Sequence, residues 1–201
     1  TAAIQAAEDG ANVIVCEAQE VYGSSTSRSL GFVIGADTVN QKAAGIEDSV
    51  EQFYEDIYSL YKDEETLDTG LLMKLAYDSS DLNTWLQDQG VVFNGVINVT
   101  NVGVRALERV HVTEGFGSGL INALQASAAK KGVNILMGTK VDALLLDDTG
   151  AAKGVHAIRT NGDEVIVNAQ ATIVCAGSYT QNPEMLAELN PKMDNIEVIT
   201  G

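Results

Sequence analysis

The chain has 201 residues, enough to bury a hydrophobic core, and its two cysteines exclude a small scaffold stapled by disulfides. With 28 Asp+Glu against 12 Lys+Arg, the formal charge of -16 excludes nucleic acid and anionic membrane surfaces as expected partners and leaves neutral, cationic or small ones. At 45% hydrophobic and 20% charged, the composition is that of a globular domain, so the acidity is no sign of disorder.

The first block, TAAIQAAEDGANVIVCEAQ, predicts an Ala-rich helix from Ala2 to Asp9, stopped by Asp9-Gly10, then a strand from Asn12 to Cys16 that ends in Glu17. Helix, tight turn and buried strand ending in an acid make the second half of a βαβ unit. Residues 21 to 38, VYGSSTSRSLGFVIGADT, hold four consecutive Ser/Thr and three Gly without periodicity and read as a long loop.

Residues 46 to 89 read as a helical segment. IEDSVEQFYEDIYSLYK puts Ile46, Val50, Phe53, Tyr54, Ile57, Leu60 and Tyr61 on one stripe. Thr69 to Gln89 does the same with Leu72, Leu75, Ala76, Leu82, Trp85 and Leu86, and Gly90 ends it. The acids of both segments fall on the other face and are expected in solvent.

VVFNGVINV predicts a strand. RVHVTEGFGSGLINALQASAAKKG then turns through glycines into a helix carrying Leu120, Ile121, Leu124 and Ala128, closed by Lys130, Lys131 and Gly132. A short buried strand is expected over residues 133 to 137. A β-meander spans 139 to 168, its strands joined by Asp147-Asp148-Thr149-Gly150 and Asn161-Gly162-Asp163. ATIVCAG predicts another buried strand, followed by the loop SYTQNPEM and a tail.

Cys16 and Cys175 sit in the apolar runs VIVCEA and TIVCAG, the pattern of small buried thiols. His156, in the alternating strand GVHAIR, reads as structural. Neither His156 nor His111 lies near a Cys or an acid at ligand spacing, so no metal site is expected. No stretch reaches the ~18 apolar residues of a membrane-spanning helix, and no leader pattern opens the sequence, so a soluble chain of the cytoplasm or periplasm is expected.

Glu17 is the first residue to suggest chemistry. In a dinucleotide-binding βαβ unit, a carboxylate at the end of the second strand hydrogen-bonds ribose hydroxyls, about 20 residues after a glycine turn on the first strand. Counted back from Glu17, that turn would fall before Thr1. A solvated strand end explains the same residue without a ligand.

Taken in order, the helix, the strand ending at Glu17, the Gly-Ser-Ser-Thr-Ser loop, GIEDSVEQFYEDI, the GFGSG turn, the meander and TIVCAGSYTQNPEM form a set. In that set, and above all in AAIQAAEDGANVIVCEA and ATIVCAGSYTQNPEM, the chain resembles the FAD-binding portion of the fumarate reductase/succinate dehydrogenase flavoprotein family. Soluble fumarate reductases, urocanate reductase and ketosteroid dehydrogenases are the relatives it resembles, and the resemblance covers nearly the whole chain. It implies an α/β, Rossmann-like FAD-binding fold with a parallel sheet core, an antiparallel meander and a helical insertion at 46 to 89. Residues 1 to 201 would form one partial FAD-binding domain, without the family's first strand and capping domain.

The resemblance also implies roles. Glu17 looks like the family's ribose-binding acid, with Ala18 beside it. Gly23, Ser24, Ser25, Thr26 and Ser27 match the loop that wraps the pyrophosphate and flavin ring, where small hydroxylated residues let backbone N–H groups approach. Family members often have Gly-Gly-Asn-Ser there, a pattern from which Ser24 and Ser25 depart. Gly31 and Gly35 fall where the loop continues past the isoalloxazine, and Val141 matches the position whose backbone meets the adenine. Ala176, Gly177 and Ser178 match the small-residue end of the last strand, where a side chain would collide with the cofactor. An ordinary turn is the alternative for each glycine. His111 stands close to the family's His before its Gly-rich turn near the flavin, with a packing or surface histidine as the alternative.

The implied activity is that of an FAD-dependent oxidoreductase acting on CH-CH groups, with hydride transfer between the flavin and a C-C bond of a carboxylate or steroid substrate. Its partners would be that small-molecule substrate and an electron donor or acceptor domain. The family's carboxylate clamps and proton-donating Arg come from later segments, and Arg28, Arg105, Arg109 and Arg159 match none of them, so no catalytic residue is assigned. The alternative is a flavin-free binding or assembly module that keeps the fold without catalysis.

Overall fold

The computed structural model describes residues 1–97, 108–179 and 182–193. They fall into two compact units, Thr1–Val15 with Gln19–Leu136, and Cys16–Ala18 with the residues from Met137 onward. In chain order the first unit carries α1 (Ala2–Glu8), β1 (Ile14–Cys16, which runs to the boundary), α2 (Ser24–Ser27), β2 (Phe32–Ile34), α3 (Val39–Ala43) and α4 (Val50–Tyr61). It continues with α5 (Thr69–Tyr77), α6 (Ser79–Asp88), β3 (Phe93–Ile97), β4 (Val110–Thr113), α7 (Phe116–Lys130) and β5 (Asn134–Leu136). The second unit carries β6 (Thr139–Leu146), β7 (Ala152–Arg159), β8 (Glu164–Asn168) and α8 (Pro183–Leu189).

In the first unit the expected helix–turn–strand opening forms, and β1 pairs with β5 in a two-stranded parallel sheet. Small residues on α1 let it approach α7 closely, so Ile4, Ala128 and Val133 become the center of a core that Val15, Trp85 and Leu124 extend. A second cluster gathers Phe53 and Ala76 around Ala36. The first unit also holds an antiparallel sheet in the order β2-β4-β3, with Phe32 opposite Val112, Val33 opposite His111 and Ile34 opposite Val110. The stretch 21 to 38 is therefore not all loop. Three strand residues are too few to show a period of two, and the partner RVHVT is remote in sequence. The strand expected over VVFNGVINV forms at Phe93–Ile97; the residues just after Ile97, and Arg105, lie outside the described residues.

The single helix expected over 69 to 89 breaks at Asp78, where ψ is -5°. Ser79 competes for backbone there: its hydroxyl donates to the Ala76 carbonyl at 2.7 Å and accepts from the Ala36 N–H at 3.2 Å. The break turns the stripe, so Leu72, Ala76 and Leu86 are buried while Leu75 and Leu82 stay exposed. Leu60 and Tyr61, at the end of α4, are exposed as well.

In the second unit the expected meander forms as β6-β7-β8, antiparallel throughout. Asp147 closes the first turn by accepting the N–H groups of Thr149 (2.9 Å) and Ala151 (3.1 Å), and Val155 and Ala157 are buried on one face of β7. Asn182 caps α8 by accepting the Met185 N–H at 3.1 Å, with Pro183 at the first helical position. The buried strand expected at ATIVCAG does not form. No strand pairs with it among the described residues, so Ile173 (66%) and Val174 (70%) are exposed, and Cys175 is exposed rather than buried; Cys16 is half-buried.

Candidate functional site

The hydroxyl-rich stretch folds as one helical turn, α2, that follows Gly23 and has no side-chain cap at its N-terminal end. Its first N–H groups thus have no partner from a capping side chain. Residues 21 to 36 include Arg28 and not one Asp or Glu, in a chain that has 28 acids. This stretch can receive an anion without like-charge repulsion from its own side chains.

The chain beyond α2 is fixed by β4 and the start of α7. Ser118 Oγ donates to the Ser27 carbonyl at 2.9 Å, and the Gly117 N–H donates to the Ser29 carbonyl at 3.1 Å. Thr113 Oγ1 donates to the Gly31 carbonyl at 2.7 Å, and His111 Nδ1 donates to the Val33 carbonyl at 3.2 Å. Gly31 has φ +63°, and a Cβ on it would overlap the Phe116 backbone. A Cβ on Gly117 would overlap the Thr26 carbonyl. Two stretches of backbone meet here with no room for side chains. The Gly31 N–H is also engaged, donating to Ser29 Oγ at 3.1 Å, so this glycine is accounted for by packing. Gly35 is buried against Asn83 and Thr38.

Below the loop lies a polar network that sequence patterning missed. Arg109 is buried and forks onto Asp48, with Nε to Oδ2 at 2.6 Å and Nη2 to Oδ1 at 2.7 Å, while Nη1 reaches Asp56 Oδ2 at 2.8 Å. Its guanidinium lies 5.0 Å from the center of the Phe53 ring. Asp48 and Asp56 are therefore not part of the solvated acidic face. Burial pushes the Asp48 carboxyl up, but hydrogen bonds from Arg109 and Gln41 outweigh this and hold it below the usual carboxylate value. His111 is fully buried. Both acceptors near Nδ1 are carbonyls, Val33 and Arg109 (3.0 Å), so Nδ1 carries the proton and Nε2 accepts from the Thr38 hydroxyl at 2.7 Å. Burial, resisted by those carbonyls, holds its pKa below the ordinary value. With both ring nitrogens taken, His111 is a packing residue. Polar residues at alternate positions of VHVT, inside an apolar strand, were the signal for such a network.

In the second unit, Glu17 is half-buried just after β1, and its carbonyl accepts the Thr139 N–H at 2.8 Å. This bond brings Glu17 and Ala18 to the start of the strand that bears Val141, which is exposed. Ala176, Gly177 and Ser178 are exposed. Gly177 has φ +87° and, among the described residues, nothing within 4 Å of where a Cβ would stand, so its conformation calls for glycine. His156 Nδ1 pairs with Asp142 Oδ1 at 2.6 Å on the meander surface. Among the described residues no three His, Cys, Asp or Glu gather as a metal site, and no helix is long and apolar enough to cross a membrane.

Taken by itself, the uncapped, acid-free turn of the first unit suits an anionic group. In the second unit the small residues Ala176, Gly177 and Ser178 are exposed.

The FAD binding domain family pattern matches residues 1–200. Fumarate reductase (cytochrome) of Shewanella frigidimarina is 29% identical over 193 residues, covering 96% of this chain and 34% of the relative. Urocanate reductase of Eggerthella lenta is 32% identical over 200 residues, covering 96% of this chain and 32% of the relative. Among solved structures, 3-ketosteroid-delta4-(5alpha)-dehydrogenase from Rhodococcus jostii RHA1, in complex with 4-androstene-3,17-dione, superimposes with a TM-score of 0.85 at 26% identity. That match covers 100% of this chain and 48% of the dehydrogenase. The chain spans about a third of the length of the two curated relatives.

Proposed function

Because the chain belongs to the FAD binding domain family and its cofactor is FAD, we propose that it is the FAD-holding part of an oxidoreductase that moves hydride between the flavin and a C-C bond of a small carboxylate or steroid substrate. When bound, the flavin supplies the redox chemistry and the protein supplies position and electrostatics. In the first unit, the uncapped turn of Ser24, Ser25, Thr26 and Ser27 after Gly23 donates N–H groups to the pyrophosphate. Gly31 holds the course of that loop. In the second unit, Glu17 accepts from ribose hydroxyls with Ala18 beside it, and the Val141 backbone meets the adenine. Ala176, Gly177 and Ser178 stay small so that the ring can approach. The substrate and the electron donor or acceptor domain of the relatives are carried over as part of this proposal.

One observation carries the reading: the hydroxyl-rich stretch of residues 21 to 36 has no acid, its backbone beyond α2 is fixed by bonds from β4 and α7, and the N-terminal turn of α2 is uncapped. The test is to take the protein in a form that also carries the family's first strand and capping segments, mix it with FAD, remove free flavin by gel filtration and measure absorbance, then follow oxidation of a reduced viologen dye with fumarate, urocanate or 4-androstene-3,17-dione. One flavin per chain and dye oxidation with one of the three are expected. A protein that stays colorless refutes FAD binding and favors the flavin-free module; a yellow protein inert to all three refutes the substrate class.

A further inference from the structure

The carbonyls of residues 27, 29, 31 and 33 each accept a hydrogen bond from one continuous piece of chain, His111 to Ser118. Four alternate carbonyls held by one continuous segment, from β4 into the start of α7, amount to a template. Gly117 lets that template reach the Thr26 carbonyl, and a side chain there would push the turn away. The template is itself strained at one point: Phe116 has φ +57°, a conformation rare for an aromatic residue, and its ring is exposed. The strain sits directly beneath Gly31.

We infer that Thr113, Gly117 and Ser118 are positioning residues for the cofactor: they touch no ligand, but they set where the Ser24–Ser27 turn presents its N–H groups. This rests on the FAD reading above. The GFGSG turn is thereby assigned as a support for the hydroxyl-rich loop and not as a phosphate-binding loop itself. Thr113 is the most informative member because it holds Gly31 by two bonds, Oγ1 at 2.7 Å and its own N–H at 3.2 Å, and only the first depends on its side chain.

The experiment compares the wild-type protein with Gly117→Ala, Thr113→Val, Thr113→Ser and a control, Thr84→Val. The control loses a similar hydroxyl-to-carbonyl bond, to Ser80 at 3.2 Å on an exposed helix. Two readouts are taken: FAD affinity by quenching of flavin fluorescence, with the visible circular dichroism of the bound flavin, and amide hydrogen exchange over residues 24 to 35. Thr113→Val should weaken FAD binding about tenfold, Thr113→Ser should restore it, and Thr84→Val should leave it unchanged. Gly117→Ala should weaken it roughly a hundredfold and alter the flavin dichroism. Exchange should rise over residues 24 to 31 while α4 stays protected. If Gly117→Ala fails to fold, the Val and Ser pair at Thr113 decides alone. Unchanged affinity in Thr113→Val, or a Ser variant as weak as the Val variant, overturns the inference. Should the wild type take up no FAD, the FAD reading fails and the exchange readout still decides the template: faster exchange confined to residues 24 to 31 supports it, and unchanged or general exchange overturns it.

Discussion

Two stretches of small residues, Gly23 to Gly35 in the first unit and Thr172 to Ser178 in the second, both hold glycine at positive φ and differ in how they are packed. In the first, alternate carbonyls are bonded, Gly31 and Gly117 meet backbone to backbone, and a buried ionic network lies below. In the second, among the described residues, no strand pairs with the chain, Ile173 and Val174 are exposed, and nothing lies within 4 Å of where a Cβ on Gly177 would stand. A glycine motif therefore names a requirement without naming its cause. Packing adds to backbone conformation at Gly31, whereas conformation alone calls for glycine at Gly177.

The largest effect expected from this contrast lies under the fixed stretch. Arg109→Leu leaves Asp48 and Asp56 buried without their cation and should cost about 3–5 kcal/mol in urea unfolding. A loss near zero would mean that the pair is solvated. Next come the two glycines. Gly31→Ala must move the Phe116 backbone as well as adopt a positive φ and should cost roughly 3 kcal/mol or more, whereas Gly177→Ala bears only the conformational term of about 1–2 kcal/mol. Equal costs would erase the distinction between the regions.

The two histidines sharpen the contrast through pH. His111 is held neutral by burial, so its folded pKa is depressed. Its contribution is present above the ordinary value of 6.5 and is lost as pH falls through the folded value. Asp48, also depressed, acts in the same direction at lower pH. His156 is the reverse: its hydrogen bond to Asp142 raises its pKa, so its contribution is present below 6.5 and is lost as pH rises through the folded value. Proton NMR of the two rings should show His156 titrating above 6.5 and His111 below it, and the opposite order would contradict both environments. The smallest effect belongs to Phe116→Gly, which relieves a positive φ under an exposed ring and should stabilize by about 1 kcal/mol in thermal unfolding.

Much of this arrangement was legible beforehand. The opening helix and strand, the meander and the helix after GFGSG follow from periodicity and turn chemistry, and the family resemblance carried by AAIQAAEDGANVIVCEA and ATIVCAGSYTQNPEM agrees with the family match over residues 1–200. What patterning missed depends on contacts remote in sequence. β2 is defined by β4, about 80 residues away, and Asp48 reads as a surface acid until Arg109 is seen against it, 61 residues on. ATIVCAG fails for the converse reason, since apolar β-branched residues make a strand only where a neighboring strand completes the ladder.

The most direct test of the account is amide hydrogen exchange of the protein with and without FAD. Residues 31 to 35, already bonded to β4, should change little. The amides of residues 24 to 27 and 176 to 178 should slow sharply once flavin is bound. Exchange that is unaltered in both of those stretches, or slowed equally along the whole chain, would contradict the claim that they hold the cofactor.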